Sequence, residues 1–273
     1  GATFTTRSTT PNILGYSATG ATAGGQGWYD LALAVSPLNA DQVMVGGINI
    51  WRSTNGGTGW TLNAEWTGSG APYVHADIHA IEYLPGSGTT IFAGCDGGLF
   101  RTTTSGTSWS DLSNGLHISQ AYRIGLSATN ANLLNTGWQD NGTARWNGGT
   151  SWNRPLGGDG MECIIDWSNA NVQYGELYYG EIRKTTTGGN YTTGIVGSGG
   201  TGVNADGDWV TPYCEAPSNA ATLFVGKAQV FRSTNSGTTW AQVGTISGGT
   251  GNVIALANAA SNAWQEIGRA IDK

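Results

Sequence analysis

One segment recurs along this chain and limits its folds more than any other feature. Val43-Met44-Val45-Gly46-Gly47 leads into Ile50-Trp51-Arg52-Ser53-Thr54-Asn55-Gly56-Gly57-Thr58-Gly59-Trp60. Ile91-Phe92-Ala93-Gly94 leads into Leu99-Phe100-Arg101-Thr102-Thr103-Thr104-Ser105-Gly106-Thr107-Ser108-Trp109. Leu223-Phe224-Val225-Gly226 leads into Val230-Phe231-Arg232-Ser233-Thr234-Asn235-Ser236-Gly237-Thr238-Thr239-Trp240. A weaker copy runs from Ile182 to Tyr191, and the unit between Trp138 and Trp152 diverges further. In each copy, apolar runs of strand length are separated by Gly, Asn, Ser and Thr, residues that accept tight-turn geometry or bond to turn amides.

Each unit reads as strand, turn, strand, tight turn, strand. Opening strands are expected at Leu31–Ser36, Ile78–Leu84, Tyr122–Ser127, Glu162–Trp167, Val210–Glu215 and Val253–Ala257. The spacing of about 40–50 residues is that of a four-stranded propeller blade. The expectation is one all-β domain over residues 1–273, a β-propeller of about six four-stranded blades. The last unit stops before its Ser/Thr turn. Strand-like Thr3–Thr6 and Ile13–Tyr16 are therefore expected to complete it, with residues 1–16 pairing against 253–271 and covering an exposed sheet edge.

The Ser/Thr-rich turns resemble the Asp-box, or BNR, repeat of sialidase-like, sortilin-like and family-74-like glycosidase propellers, with Asn or Thr in the usual Asp position. In those families the boxes are structural and lie away from the active centre. The resemblance therefore implies a fold, not an activity. Gly25-Gln26-Gly27-Trp28-Tyr29-Asp30, His75-Ala76-Asp77-Ile78-His79-Ala80, Cys95-Asp96-Gly97-Gly98, Gln139-Asp140-Asn141-Gly142 and Gly157-Gly158-Asp159-Gly160 add a second likeness. They look like a group of secreted, glycosyl-hydrolase-like BNR proteins of Bacteroidota, many of them large and exported by a C-terminal sorting domain. That likeness implies a secreted or cell-surface bacterial protein. With no sorting domain in the sequence, it also implies a processed form or part of a longer chain.

Composition narrows the partners. The net charge is −6, with 12 basic residues and no basic block, which argues against a phosphate backbone as partner. No apolar run is long enough to span a membrane as a helix. Cys95, Cys163 and Cys214 form no CxxC pair, so no structural zinc is indicated, and no cofactor is assigned.

In a propeller, the loops leading into the opening strands converge on one face, which makes them the candidate site. They carry Trp28, Tyr29 and Asp30; His75, Asp77 and His79; Gln120 and Tyr122; Asp159 and Glu162; and Trp209. The Cys95–Gly98 and Gln139–Gly142 turns follow second strands and are placed elsewhere on the blade. Glycoside hydrolysis needs two carboxyls flanking the scissile bond, and Asp30, Asp77, Asp159 and Glu162 are the candidates. Asp-Gly pairs are also simply good turns. In an extended strand His75, Asp77 and His79 would point one way, as a metal site or acid–base cluster requires. A hydrogen-bonded network at the channel mouth is the plainer alternative, and no metal is assigned. Trp28, Tyr29, His75, His79, Gln120, Tyr122 and Trp209 are candidate sugar contacts, since aromatic faces stack on sugar rings. A sialidase is disfavoured, because Arg52, Arg101 and Arg232 occupy equivalent repeat positions instead of forming a carboxylate-binding set. Two functions follow: an extracellular propeller that binds, and in one version cleaves, a polysaccharide; or a non-catalytic scaffold that binds other secreted or surface proteins.

Overall fold

A computed structural model describes residues 4–116, 119–197, 202–243 and 251–256. The chain is all-β and of the propeller class. Among the described residues it forms five four-stranded antiparallel sheets, each an up-and-down meander of consecutive strands. The chain divides into two compact units, residues 1–118 and 119–273.

The first unit holds two sheets. One is Ala32–Ser36, Asn39–Gly46, Ile50–Ser53 and Thr61–Ala64; the next is Ile78–Tyr83, Ile91–Cys95, Gly98–Thr102 and Ser110–Asp111. They share a core of Met44, Ile50, Ile78, Ile81, Ile91 and Phe100. The sheets pack closely because Gly46 has no side chain: a Cβ there would stand 2.5 Å from Cγ2 of Ile78.

The second unit holds three sheets. They are Ala121–Leu126, Leu134–Trp138, Gly142–Trp146 and Trp152–Leu156; Cys163–Ile165, Gln173–Leu177, Glu181–Thr185 and Thr193–Val196; and Tyr213–Ala216, Asn219–Gly226, Val230–Ser233 and Ala241–Gln242. Tyr174, Ile182, Ile195, Leu223 and Val225 belong to its main core. Val253 then begins a sixth repeat. It packs with Phe224 and Val230, and its amide donates to the carbonyl of Lys227 at 2.8 Å, as the Ile78 amide donates to Gly47 at 2.9 Å in the first unit. The rest of that repeat lies outside the described residues.

The recurring turn has one hydrogen-bond scheme. Ser53 Oγ accepts from the Gly57 amide at 2.8 Å, Thr102 Oγ1 from Gly106 at 2.9 Å and Ser233 Oγ from Gly237 at 2.9 Å. The residue in the usual Asp place still accepts: Asn55 from Gly59 at 2.8 Å, Thr104 from Ser108 at 3.1 Å and Asn235 from Thr239 at 2.9 Å. Gly56, Ser105, Gly188 and Ser236 occupy one left-handed position, with φ between 53° and 69°. Their amides donate to the carbonyls of Asp41, Thr89, Asn171 and Ala221, closing each turn onto its own sheet. Their carbonyls accept from side chains earlier in the chain: Arg7 to Gly56 at 3.1 Å, Asn63 to Ser105 at 3.0 Å, Lys184 to Ser236 at 2.7 Å, and Arg145 to Gly188.

The repeat tryptophans continue this pattern. Trp109 Nε1 donates to Asn63 Oδ1 at 3.3 Å and Trp240 Nε1 to the Ile195 carbonyl at 2.9 Å. Each thus pins its turn to the last strand of the preceding sheet. Gly237 must be small here, since a Cβ would stand 2.6 Å from Ile195 Cδ1.

The N-terminal segment differs from expectation. Residues 4–16 contain no strand, and residues 13–16 form a turn. Arg7 bonds to Gly56, and Ser8 Oγ accepts from Trp60 Nε1 at 3.2 Å, so these two residues meet the first turn as Asn63 meets the second. Thr3 and most of 253–271 lie outside the described residues. Three opening strands start later than expected: Ala32 for Leu31, Cys163 for Glu162 and Tyr213 for Val210. Glu162 and Pro212 still accept from their own second strands at Glu176 N and Gly226 N, while Gly160 N reaches the preceding hairpin at Trp138 O, 2.9 Å away. Cys95, Cys163 and Cys214 form no disulfide with one another.

Asn63 donates to one turn carbonyl and accepts from the turn's Trp109. Asn63→Ala is expected to lower the unfolding free energy by about 1–3 kcal/mol, the penalty for orphaning partly buried polar partners. Urea titration checks this; an unchanged midpoint would show that this side chain does not hold the two sheets together.

Candidate functional site

In an up-and-down sheet, the segment leading into the first strand and the hairpin joining strands two and three lie at the same end. The Ser/Thr turn, between strands three and four, lies at the other. The Cys95–Gly98 and Gln139–Gly142 turns therefore belong with the lead-in loops, contrary to the sequence-based placement.

In the first unit this end carries a carboxyl network. Asp30 is wholly buried, and its carboxyl lies beside that of Asp77. Gln26 Nε2 donates to both, reaching Asp30 Oδ2 at 3.4 Å and lying close to Asp77 Oδ1. Burial is the main cause that raises both pKa values. For Asp77, the nearby Asp30 and Asp96 add to it and bring the value to about 6. Asp96 uses both oxygens, accepting from Tyr29 Oη at 2.7 Å and binding His79 Nε2 at 2.7 Å. The Tyr29 and His79 rings meet edge to face at 5.0 Å, and Trp28 stands beside Tyr29, 87% exposed.

His75, Asp77 and His79 do not act as one strand face. Asp77 sits at φ 64°, outside the extended region, so the side-chain alternation breaks there. Among the described residues, Asp77 gathers with Asp96 and not with the two histidines, their carboxylate oxygens lying within 4.8 Å. His75 instead lies over Gly97, where a Cβ would meet its ring at 2.2 Å.

In the second unit the candidate carboxyls are also engaged. Asp159 Oδ1 accepts from the Asp140 amide at 2.7 Å. Glu162 faces Arg123 Nε at 3.3 Å; burial raises its pKa, and Arg123 opposes that shift. Gln120 is exposed and gives its backbone carbonyl to the Gln139 amide at 3.1 Å. Tyr122 Oη donates to Gln139 Oε1 at 2.5 Å and accepts from Trp209 Nε1 at 3.0 Å.

Trp209 is the centre of an aromatic cluster that sequence reasoning only half found. The Tyr178 ring lies parallel to it, 9° between planes and 5.8 Å between centroids, and Tyr179 meets it edge-on at 5.3 Å. Tyr178 and Tyr179 are each nearly half exposed. They form a hairpin turn with Gly180, just before the weaker copy of the repeat. The missed signal was topological, since that hairpin must share an end with the loop carrying Trp209.

No family model and no curated protein matches the chain. Solved structures do. An ancestral GH74 enzyme is 20% identical, with 77% of this chain covering 30% of that one at a TM-score of 0.36. The GH74 enzyme of Niastella koreensis is 15% identical over 80% of this chain and 51% of that one, at 0.25. YCF48 bound to D1 peptide is 12% identical over 77% and 66%, at 0.31. The chain spans less than a third of the ancestral enzyme. At such TM-scores these likenesses carry no argument about activity. Among the described residues no helix is long and apolar enough to cross a membrane.

The Asp77 carboxyl sets a pH dependence. Its folded pKa of about 6 exceeds the ordinary 3.8, so the folded state holds the proton more tightly. Its contribution to stability is present below pH 3.8 and is lost as pH rises through about 6. Between those values, unfolding free energy measured by urea titration should fall less steeply with pH in Asp77→Asn than in the parent; identical slopes would refute the coupling.

Proposed function

We propose that this chain is an extracellular carbohydrate-binding propeller of the secreted BNR, Asp-box kind, with all 273 residues in one domain. The observation that carries the reading is the Tyr178–Trp209 stack, with Tyr179 against its edge, on loops at the lead-in end. Flat, partly exposed aromatic rings with polar tips suit sugars, whose rings have apolar C–H faces and hydroxyl rims. Asp206 and Asp208 flank the shelf in sequence and can meet hydroxyls. Exposed Trp28 is a further contact of the same kind at the lead-in end of its own sheet.

Binding without hydrolysis is the version the carboxyls favour. A retaining glycosidase needs carboxyls about 5–5.5 Å apart and an inverting one about 6.5–9.5 Å. Asp30 and Asp77 instead share the Gln26 side-chain amide, and Asp30 has no exposure to substrate. Asp159 and Glu162 are held by a backbone amide and by Arg123. These four residues are read as organisers of the loops. The protein-scaffold reading shares their engagement but leaves the exposed aromatic stack without a use.

A screen against plant, algal and host glycans, followed by calorimetry on the best ligand, tests the proposal. Trp209→Ala and Tyr178→Ala should each weaken binding about tenfold, which is ~1.4 kcal/mol, with no release of reducing ends by the parent. Failure of the parent to bind any glycan, or full affinity in both variants, would defeat it.

A further inference from the structure

The aromatic shelf stands on a turn that does not hold its shape by local preference. Tyr179 adopts φ 60°, a left-handed value that non-glycine residues rarely take, and Gly180 follows at 77°. The turn exchanges two backbone bonds with the loop carrying Trp209. Gly207 N donates to Tyr179 O at 2.9 Å, and Tyr179 N donates to Trp209 O at 3.3 Å.

Beneath the turn lies Lys227, from the hairpin of the next sheet, and only 1% exposed. Its ammonium donates to Tyr179 O at 2.7 Å and Gly180 O at 3.0 Å. The fit is close on every side. A Cβ on Gly180 would stand 2.2 Å from Lys227 Nζ, and one on Gly207 would stand 3.0 Å from its Cδ. A buried ammonium is costly to desolvate and is retained only where its donors are used. Here they are spent on the two carbonyls of the turn. Glu176, also fully buried, braces the other side: Oε1 accepts from Thr211 N at 2.7 Å and Oε2 from Glu162 N at 3.1 Å. Thr211 Oγ1 in turn donates to Asp208 O at 2.9 Å, next to Trp209.

We infer that Lys227 is the positioning residue of the aromatic shelf: by holding the Tyr179 and Gly180 carbonyls it fixes the turn that sets Tyr178 parallel to Trp209. Lys227 touches no ligand and acts only through the turn. The inference rests on the carbohydrate-binding reading for its purpose, but its structural half stands separately.

Amide hydrogen exchange on the full chain separates the two. In Lys227→Met the apolar stem is kept and the donors are lost. Exchange at the amides of Tyr179 and Gly207 should quicken at least tenfold. The Gly237 amide, held by Ser233 at the other end of the next sheet, should stay unchanged. Binding of a soluble probe, cellohexaose or the best glycan of the screen, should weaken at least tenfold, while Lys227→Arg, which retains donors, should recover part of both. Uniformly faster exchange at all three amides would show a merely global role and overturn the inference, as would no change at Tyr179 and Gly207. If Lys227→Met does not fold, Lys227→Leu, shorter and equally without donors, carries the same comparison. A parent that binds no glycan would defeat the carbohydrate reading and leave the exchange result to decide the role of Lys227.

Discussion

The residue at the left-handed position of the repeated turn is the constraint on which the rest depends. Its amide closes the turn onto its own sheet, through Asp41, Thr89, Asn171 or Ala221. Its carbonyl is taken by a side chain from earlier in the chain, Arg7, Asn63, Arg145 or Lys184. A single residue therefore joins a turn, its own sheet and the structure before it. The donors differ chemically, yet the acceptor is the same backbone atom. This is why the sequence at the donor positions varies while the turn remains recognisable.

That arrangement leaves the two ends of each sheet unlike. One end is committed to hydrogen bonds among Ser, Thr, Asn and backbone, with a tryptophan pinning it to its neighbour. The other end is built from lead-in loops that donate backbone bonds to the preceding hairpin: Ile78 to Gly47, Gly160 to Trp138, Gly207 to Tyr179, Val253 to Lys227. Those bonds fix the loop backbone and leave side chains such as Trp28, Tyr178 and Trp209 available at the surface. Of the polar groups buried beneath this end, Glu176 and Lys227 serve the backbone.

The fold was readable because the repeat satisfies strand, turn and packing requirements together in three copies. The divergent unit was harder, since Trp146 occupies the place of the turn Ser and donates its indole N–H to Gly149 O at 2.9 Å, a different closure. Trp209, Tyr122, Tyr29 and His79 were named from sequence because they precede or open first strands, and each takes part in a network there. Asp96 belongs to a turn that the sequence reading places elsewhere on the blade, and Tyr178 and Tyr179 lie in the equivalent hairpin before the weaker copy of the repeat. The alternation argument for His75, Asp77 and His79 failed at one dihedral, φ 64° at Asp77, which residue type alone does not announce. In the N-terminal segment Arg7 and Ser8 dock through side chains, which β propensity does not register.

The central claim is this division of labour between the two ends. A crystal structure of the chain with its best-binding oligosaccharide tests it most directly. The account predicts a sugar ring stacked on Tyr178 or Trp209, with the Ser53, Thr102 and Ser233 turns free of ligand. A saccharide lodged against those turns, with Tyr178 and Trp209 untouched, would contradict it.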